Sequence, residues 1–226
     1  MRRKLPWLVL AFIAVAWTGN LGAAEYQAVP AQKIRPREGI GHVMARIQAG
    51  QKVTVAYLGG SITAANGWRP KTTAWLQKTF PAAKFAEIHA AIGGTGSDLG
   101  VFRVGRDVLQ YNPDLLFVEF AVNDGGAAPE AIWRNMEGIV RQTWRKDPKT
   151  DIVFAYTIHE GMIDEVKKGL CSRSASAMEL LADFYGIPSV NFQVPVVELL
   201  QQDKLVFKAD KQPEGDKIWF AADGCH

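Results

Sequence analysis

A serine, a histidine and an aspartate raise the first chemical question in this sequence. Ser61 follows Gly59-Gly60, and Asp223 and His226 stand three positions apart at the end of the chain. At that spacing one turn can aim both side chains at the same spot. A serine hydroxyl is a weak nucleophile at neutral pH and needs an adjacent base. The base needs a third group to fix its tautomer and stabilise its charged form. Acyl transfer also needs hydrogen-bond donors for the oxygen that becomes negative. The backbone N–H groups of Ser61 and Gly94 and the side-chain amide of Asn123 are suited to that task. Glycine lets the backbone come close to a ligand, and asparagine donates without bringing a competing charge. Taken by itself, the Ser61 stretch also reads as an ordinary strand-to-helix turn with Ser61 as N-cap.

These residues need a scaffold, and the apolar pattern supplies one. Lys52–Leu58, Phe85–Ile92, Leu115–Val122, Ile152–Ile158 and Ser189–Phe192 are five short apolar runs bounded by turn residues, and each reads as a buried strand. Between them lie helical spacings. Ile40, Val43 and Ile47 precede Gly50, and Trp75, Leu76 and Phe80 precede Pro81. Val101, Val104 and Val108 mark another helix. Ile132, Met136, Ile139, Val140 and Trp144 share one face, with Arg134, Glu137 and Arg141 opposite. Ala177, Leu180, Leu181 and Phe184 run to a Gly186–Pro188 stop, and Val196–Leu200 is helical again. Apolar strands alternating with amphipathic helices predict a parallel sheet covered on both faces. In such a fold the working groups lie beyond the C-terminal ends of the strands. That rule selects Ser61 after the first strand, Gly93 and Gly94 after the second, and Asn123 after the third.

At 226 residues the chain suits one domain with a full core. Residues 1–24 stand outside it: Arg2, Arg3 and Lys4 precede an apolar run from Leu8 to Trp17 and a small, weakly polar stretch to Ala24. This is the layout of a secretory signal peptide cleaved after Ala24, and it predicts a secreted or periplasmic protein. The run is short for a membrane span, so no stable span is expected after cleavage, with an uncleaved anchor as the alternative. Residues 25–51, which include Pro30 and Pro36, read as an extended arm and a helix, and 52–226 as the main domain.

The leader holds three of the 26 bases and none of the 23 acids, so the remainder is balanced at 23 of each sign. Nothing in that balance, and no motif, points to nucleic acid. Cys171 and Cys225 would lie in an oxidising compartment and form a possible disulfide; a bridge closing a loop of that size contributes about 4 kcal/mol. Two cysteines with no histidine at ligand spacing do not make a zinc site.

Four separate stretches together resemble the SGNH, or GDSL-type, family of serine hydrolases. They are Gly59-Gly60-Ser61-Ile62-Thr63, Ala91-Ile92-Gly93-Gly94-Thr95, Val122-Asn123-Asp124 and Asp223-Gly224-Cys225-His226, in the family's order. The resemblance implies a three-layer α/β/α fold with a five-stranded parallel sheet in flavodoxin-like strand order. It implies Ser61 as nucleophile, His226 as base and Asp223 as its partner, with Ser61, Gly94 and Asn123 forming the oxyanion hole. It further implies a serine esterase that needs no metal or cofactor and cleaves short acyl esters, acetyl above all, with an acetylated carbohydrate as the expected substrate. Lysophospholipid or thioester hydrolysis is the alternative. Two departures stand out. Gly60 occupies a position where the family often has aspartate, and the chain stops at His226, where members usually continue with a proline and a packing helix. A domain truncated at its C-terminus is therefore expected.

Competing readings remain open. Gly94, Gly96 and Gly100 follow a strand and open a helix, as in a dinucleotide-binding fold, although Asp114 begins the next strand instead of ending one. A non-catalytic carbohydrate-binding relative would keep the fold without the chemistry. His159 and Glu160, at the end of the fourth strand, and Trp68, near the Ser61 loop, are weaker candidates for substrate contact; Trp68 packed beneath the loop is the alternative. Asp124 is expected to stabilise its own loop, His42 to lie on an exposed helix face and His89 to be packed in the core.

Overall fold

The computed structural model describes residues 27–224. Residues 1–26, Cys225 and His226 lie outside that range, and with them the expected leader, the expected base and one half of the possible disulfide.

In chain order the elements are β1 (Ile34–Arg35), α1 (Gly41–Gln48), β2 (Lys52–Gly59), α2 (Ser61–Ala64), α3 (Trp68–Thr79), β3 (Lys84–Ala91) and α4 (Ser97–Asp107). A 3-10 turn (Leu109–Tyr111) leads to β4 (Leu115–Glu119), α5 (Pro129–Lys146) and β5 (Asp151–Tyr156). After a second 3-10 turn (Glu160–Met162) come α6 (Ile163–Lys167), α7 (Arg173–Tyr185), β6 (Ser189–Asn191), α8 (Gln193–Gln201), β7 (Leu205–Lys208) and β8 (Ile218–Ala221).

The strands stand in the order β1-β6-β5-β4-β2-β3. From β3 to β6 every pairing is parallel, which gives the flavodoxin-like order expected. The sheet has six strands instead of five. The expected arm supplies the sixth, because Ile34 and Arg35 pair antiparallel with Val190 and Ser189. Two arginines hold this short strand in place: Arg35 Nε and Arg37 Nη2 reach Glu179 Oε2 on α7 at 2.8 and 2.7 Å. A separate parallel pair, β7 with β8, follows the main sheet; neither strand is expected from the sequence.

Alternation along the strands builds two cores. Ala56, Leu58, Leu116, Val118, Ile152 and Phe154 face α4, α5 and α7, where they meet Val104, Ile139, Val140 and Met178. Val53, Val55, Tyr57, Leu115 and Val153 face α1 and α3, where they meet Val43, Ile47 and Leu76. Each fully buried Leu, Ile or Phe contributes about 1.5–3 kcal/mol. A third cluster of Ile158, Met162, Val166, Val197, Leu205 and Phe207 joins α6, α8 and β7 below one end of the rim.

Other expectations shift with the tertiary context. The run ending at Val122 leaves the sheet at Glu119, and residues 120–126 form turns closed by Asp124 N–H to Phe120 O (2.9 Å) and Gly125 N–H to Val122 O (3.2 Å). Trp75 and Phe184, read as apolar-face residues, are 58% and 79% exposed. His89 is exposed instead of core, because β3 is the edge strand and the α3 and α4 layers do not close over it. Burial, partial as it is, and the Arg69 guanidinium both hold the His89 imidazole below its ordinary pKa.

Candidate active site

The C-terminal ends of β2, β3 and β4 form one rim, and three of the expected blocks meet there. After β2, Gly60 is extended and Ser61 opens the single turn of α2, closed by Ala64 N–H to Gly60 O (3.0 Å) and Ala65 N–H to Ser61 O (2.9 Å). Asn123 lies over this turn. A Cβ built on Gly60 would overlap Asn123 Oδ1 and stand 2.7 Å from its Cγ, so only glycine leaves room for the amide. Asn123 Oδ1 is buried there without a hydrogen-bond partner among the described residues. On the other side, a Cβ on Gly93 would come 3.7 Å from Ser61 Cβ. Gly94 follows with φ +73°, a left-handed conformation that side chains rarely adopt. The Ser61 turn thus lies between the Asn123 side chain and the Gly93–Gly94 turn.

Buried polar groups hold the two turns. Arg103, on α4, donates through Nη2 to Gly59 O (3.0 Å) and through Nη1 to Ala90 O, clamping the ends of β2 and β3. Thr95 Oγ1 donates to Ile92 O at 2.8 Å and tightens the Gly93–Gly94 turn. Asp124 Oδ1 accepts Ser97 N–H at 2.9 Å, which ties the Asn123 loop to the start of α4. Asp124 therefore supports its loop, as expected. Burial pushes its carboxyl above the ordinary range, and Asp98 adds to that shift.

Glu119, the last residue of β4, is 1% exposed. Its carboxyl accepts Thr63 Oγ1–H at 2.8 Å and Thr157 Oγ1–H at 2.7 Å. Gln193 Nε2 donates to Thr157 O at 2.8 Å and extends the network to α8. Burial raises the Glu119 pKa, partly countered by the two threonine hydroxyls. The sequence reading passed over Glu119, although a lone carboxylate near the end of an apolar run was a visible signal. For Arg103, one of four charged residues on α4, no such signal existed.

The acid-bearing end of the chain arrives from β8. Gly224 O accepts Glu160 N–H at 3.0 Å, and a Cβ on Gly224 would lie 3.3 Å from Glu160 Cβ and 3.6 Å from Lys208 Cδ. This holds the exposed Asp223 beside the loop that follows β5. His226 lies outside the described residues. His159 lines a cleft of about 340 Å³ with Val122, Gly125, Met162, Arg173 and Ser174. Its Nδ1 accepts Gly161 N–H at 3.0 Å, so the neutral ring carries its proton on Nε2. A Cβ on Gly125 would stand 3.8 Å from that nitrogen.

The remaining candidates fall elsewhere. Trp68 packs on Tyr57 (5.4 Å between ring centroids), Phe117 (5.7 Å) and Phe192 (5.7 Å), and its Nε1–H reaches Thr63 Oγ1 at 3.3 Å. Its indole lies against the strands beneath the loop. Cys171 is buried, and burial pushes its thiol up to about 12. The dinucleotide pattern is spent on packing. A Cβ on Gly100 would stand 2.7 Å from the Phe120 ring, and one on Gly96 2.5 Å from Asp124 Oδ1. With a carboxylate already against the first turn of α4, a phosphate there would meet repulsion.

Several solved structures share this fold. A two-domain esterase active on acetylated mannans, crystallised with mannopentaose, is 27% identical with TM-score 0.61; the match covers 79% of this chain and 47% of that one. The chain thus spans about half the length of that esterase. A lipase/acylhydrolase from Enterococcus faecalis matches in fold at 16% identity and TM-score 0.55, over 77% of this chain and 86% of its own. An acetyl-xylooligosaccharide esterase from Geobacillus Stearmophilus, in a mutant form, does so at 16% identity and TM-score 0.55, over 66% and 80%. No curated protein matches the chain. Residues 57–226 match the GDSL-like Lipase/Acylhydrolase family, and that span contains the serine turn, the glycine turn, the asparagine loop and the terminal aspartate block. By that match over most of its length, and by the rim those blocks build, the chain belongs to the GDSL-like lipase/acylhydrolase family.

Proposed function

We propose that the protein is an exported serine esterase that removes acetyl or other short acyl groups from carbohydrate. The observation that carries this reading is the convergence of Ser61, Gly93-Gly94 and Asn123 on one rim, with the Asn123 amide pressed onto Gly60. In the proposed mechanism His226 takes the Ser61 proton, Ser61 Oγ attacks the acyl carbon, and Asp223 orients His226 and stabilises its charge. The Ser61 and Gly94 N–H groups and the Asn123 amide stabilise the oxyanion; the ester C–O bond then breaks as His226 gives its proton to the leaving sugar oxygen, and water, deprotonated by His226, cleaves the Ser61 acyl ester to release the acid and restore the hydroxyl. Support for the acid–base pair comes from the contact of Gly224 with Glu160, which brings the neighbouring Asp223 beside the loop that follows β5.

Two features favour a sugar on the alcohol side. The 27% identical esterase acts on acetylated mannans. The cleft beside the Asn123 loop brings His159 Nε2–H, Glu165 and Arg173 together with Gly125, Gly126 and Gly161, a lining suited to hydroxyl groups. Hydrolysis of a longer acyl chain is a second reading, and one observation favours it. Ile92, Leu99 and Phe102 are 45%, 52% and 87% exposed next to the Gly93–Gly94 turn.

Turnover of p-nitrophenyl esters of increasing chain length, beside acetylated mannan, xylan and pectin, decides between them. The sugar-ester reading expects acetyl to be fastest, acetate to be released from at least one polymer, and both activities to vanish in Ser61→Ala. Faster turnover of long chains and no release from any acetylated polymer overturn it. Export is tested by expressing the full chain and locating it by cell fractionation, with retention in the cytoplasm as the contrary result.

A further inference from the structure

The Ser61 turn cannot hold its own position. The helix α2 has four residues and, among the described residues, no side-chain cap. One helical turn in isolation is unfavourable, because several dihedrals are fixed for one hydrogen bond. Its placement must come from outside, and the structure offers a specific anchor. Thr63, two residues after Ser61, is fully buried, and its hydroxyl accepts Trp68 Nε1–H at 3.3 Å. The single hydroxyl proton of Thr63 is therefore free to go to Glu119 Oε2, 2.8 Å away. The other carboxyl oxygen takes Thr157 Oγ1–H from the segment just after β5.

Glu119 thus joins the nucleophile turn to the ends of β4 and β5. It also begins the loop that carries Asn123 four residues later. A carboxyl in this position is a costly choice for stability alone. Burying it requires desolvation, no cation pairs with it among the described residues, and Asp124 is the nearby charge that acts on it. An apolar side chain of similar volume would fill the space at lower cost, but it could not hold two hydroxyls in fixed directions.

We infer that Glu119 is a positioning residue: through Thr63 it fixes the orientation of Ser61 relative to Asn123, without touching substrate. The inference rests on the proposed role of Ser61 as nucleophile. It predicts a loss in turnover rather than in substrate binding, since a small misplacement of a nucleophile lowers kcat by on the order of tenfold to a hundredfold.

The test uses the full chain with p-nitrophenyl acetate. Thr63→Val and Glu119→Gln should each lower kcat by on the order of tenfold or more with KM within about twofold. Thr63→Ser, which keeps the hydroxyl, should recover most of the loss. The double variant should be no worse than the poorer single, as expected for two residues that act through one link. Val43→Ala, a buried truncation on α1, supplies a destabilised control that should lower Tm and keep kcat. Unchanged kcat in Thr63→Val, additive losses in the double variant, or an equal kcat loss in Val43→Ala overturns the inference. Should Glu119→Gln fail to fold, Thr63→Val against Thr63→Ser still decides. Activity surviving in Ser61→Ala sinks the nucleophile assignment itself, whereas an inactive Ser61→Ala with an unaffected Thr63→Val sinks only the role of Glu119.

Discussion

The two glycine turns of the rim, Gly59–Ser61 after β2 and Gly93–Ser97 after β3, use glycine for different physical reasons. The first is crowded. Gly60 has an ordinary negative φ of −90°, and glycine is required because the Asn123 side chain occupies the space a Cβ would take. The second is open. A Cβ on Gly94 would meet nothing within 4 Å, and glycine is favoured there because φ is +73°. A buried carboxyl backs each turn, Glu119 through Thr63 under the first and Asp124 through Ser97 N–H under the second. Crowding transmits a change at one residue to its neighbour, whereas backbone strain stays where it is. The two turns should therefore respond to the same substitution in different ways.

The largest effect is expected in the crowded turn. Removal of one oxyanion donor costs about 10²–10³ in kcat, so on the role proposed for Asn123 its substitution Asn123→Ala should fall in that range with p-nitrophenyl acetate. Gly60→Ala should cost nearly as much by displacing the amide, yet add little when made in Asn123→Ala, where the clash is gone. Steady-state kinetics of the four proteins of that cycle checks the coupling, and independent, multiplying losses would break the comparison.

Next comes the open turn. A single left-handed non-glycine residue costs about 1–2 kcal/mol, so Gly94→Ala should lower Tm by several degrees. Its effect on kcat should be the same whether or not Asn123 is present. Asp124→Ala, which removes the acceptor for Ser97 N–H, should cost about 1 kcal/mol in thermal unfolding, with Asp124→Asn recovering most of it.

The smallest effect concerns pH. Burial raises the pKa of both Glu119 and Asp124 in the folded protein. The folded state then holds protons that the unfolded chain has released. Their contribution to stability is present at low pH and declines as pH rises from the ordinary carboxylate range through the raised values. Asp107, whose carboxyl is lowered chiefly by its hydrogen bond to Arg106, works in the opposite sense. Glu119→Gln should flatten the fall of Tm with rising pH in that window; an unchanged slope would show that its titration is not coupled to folding.

Much of this was legible in the sequence. The alternation of apolar strands and amphipathic helices gave the layered fold, and the glycine and asparagine breaks at strand ends gave the candidate rim. Misreadings arose where neighbours distant in sequence decide the outcome. His89 has the pattern of a buried strand but lies on the sheet edge, and Ile34–Arg35 reads as an arm but pairs with β6 because Glu179 receives its arginines. Glu119 was visible as a carboxylate in an apolar run, yet its partners Thr63 and Thr157 are 56 and 38 residues away.

By itself the sequence determined where strands, helices and turns fall and which polar residues stand at strand ends, because side-chain periodicity and turn chemistry are local properties. Only the tertiary structure decided that Asn123 rests on Gly60, that Glu119 anchors Thr63 and that Arg103 clamps two strand ends. Those contacts depend on which strands lie side by side, and strand order is set by the packing of the whole sheet.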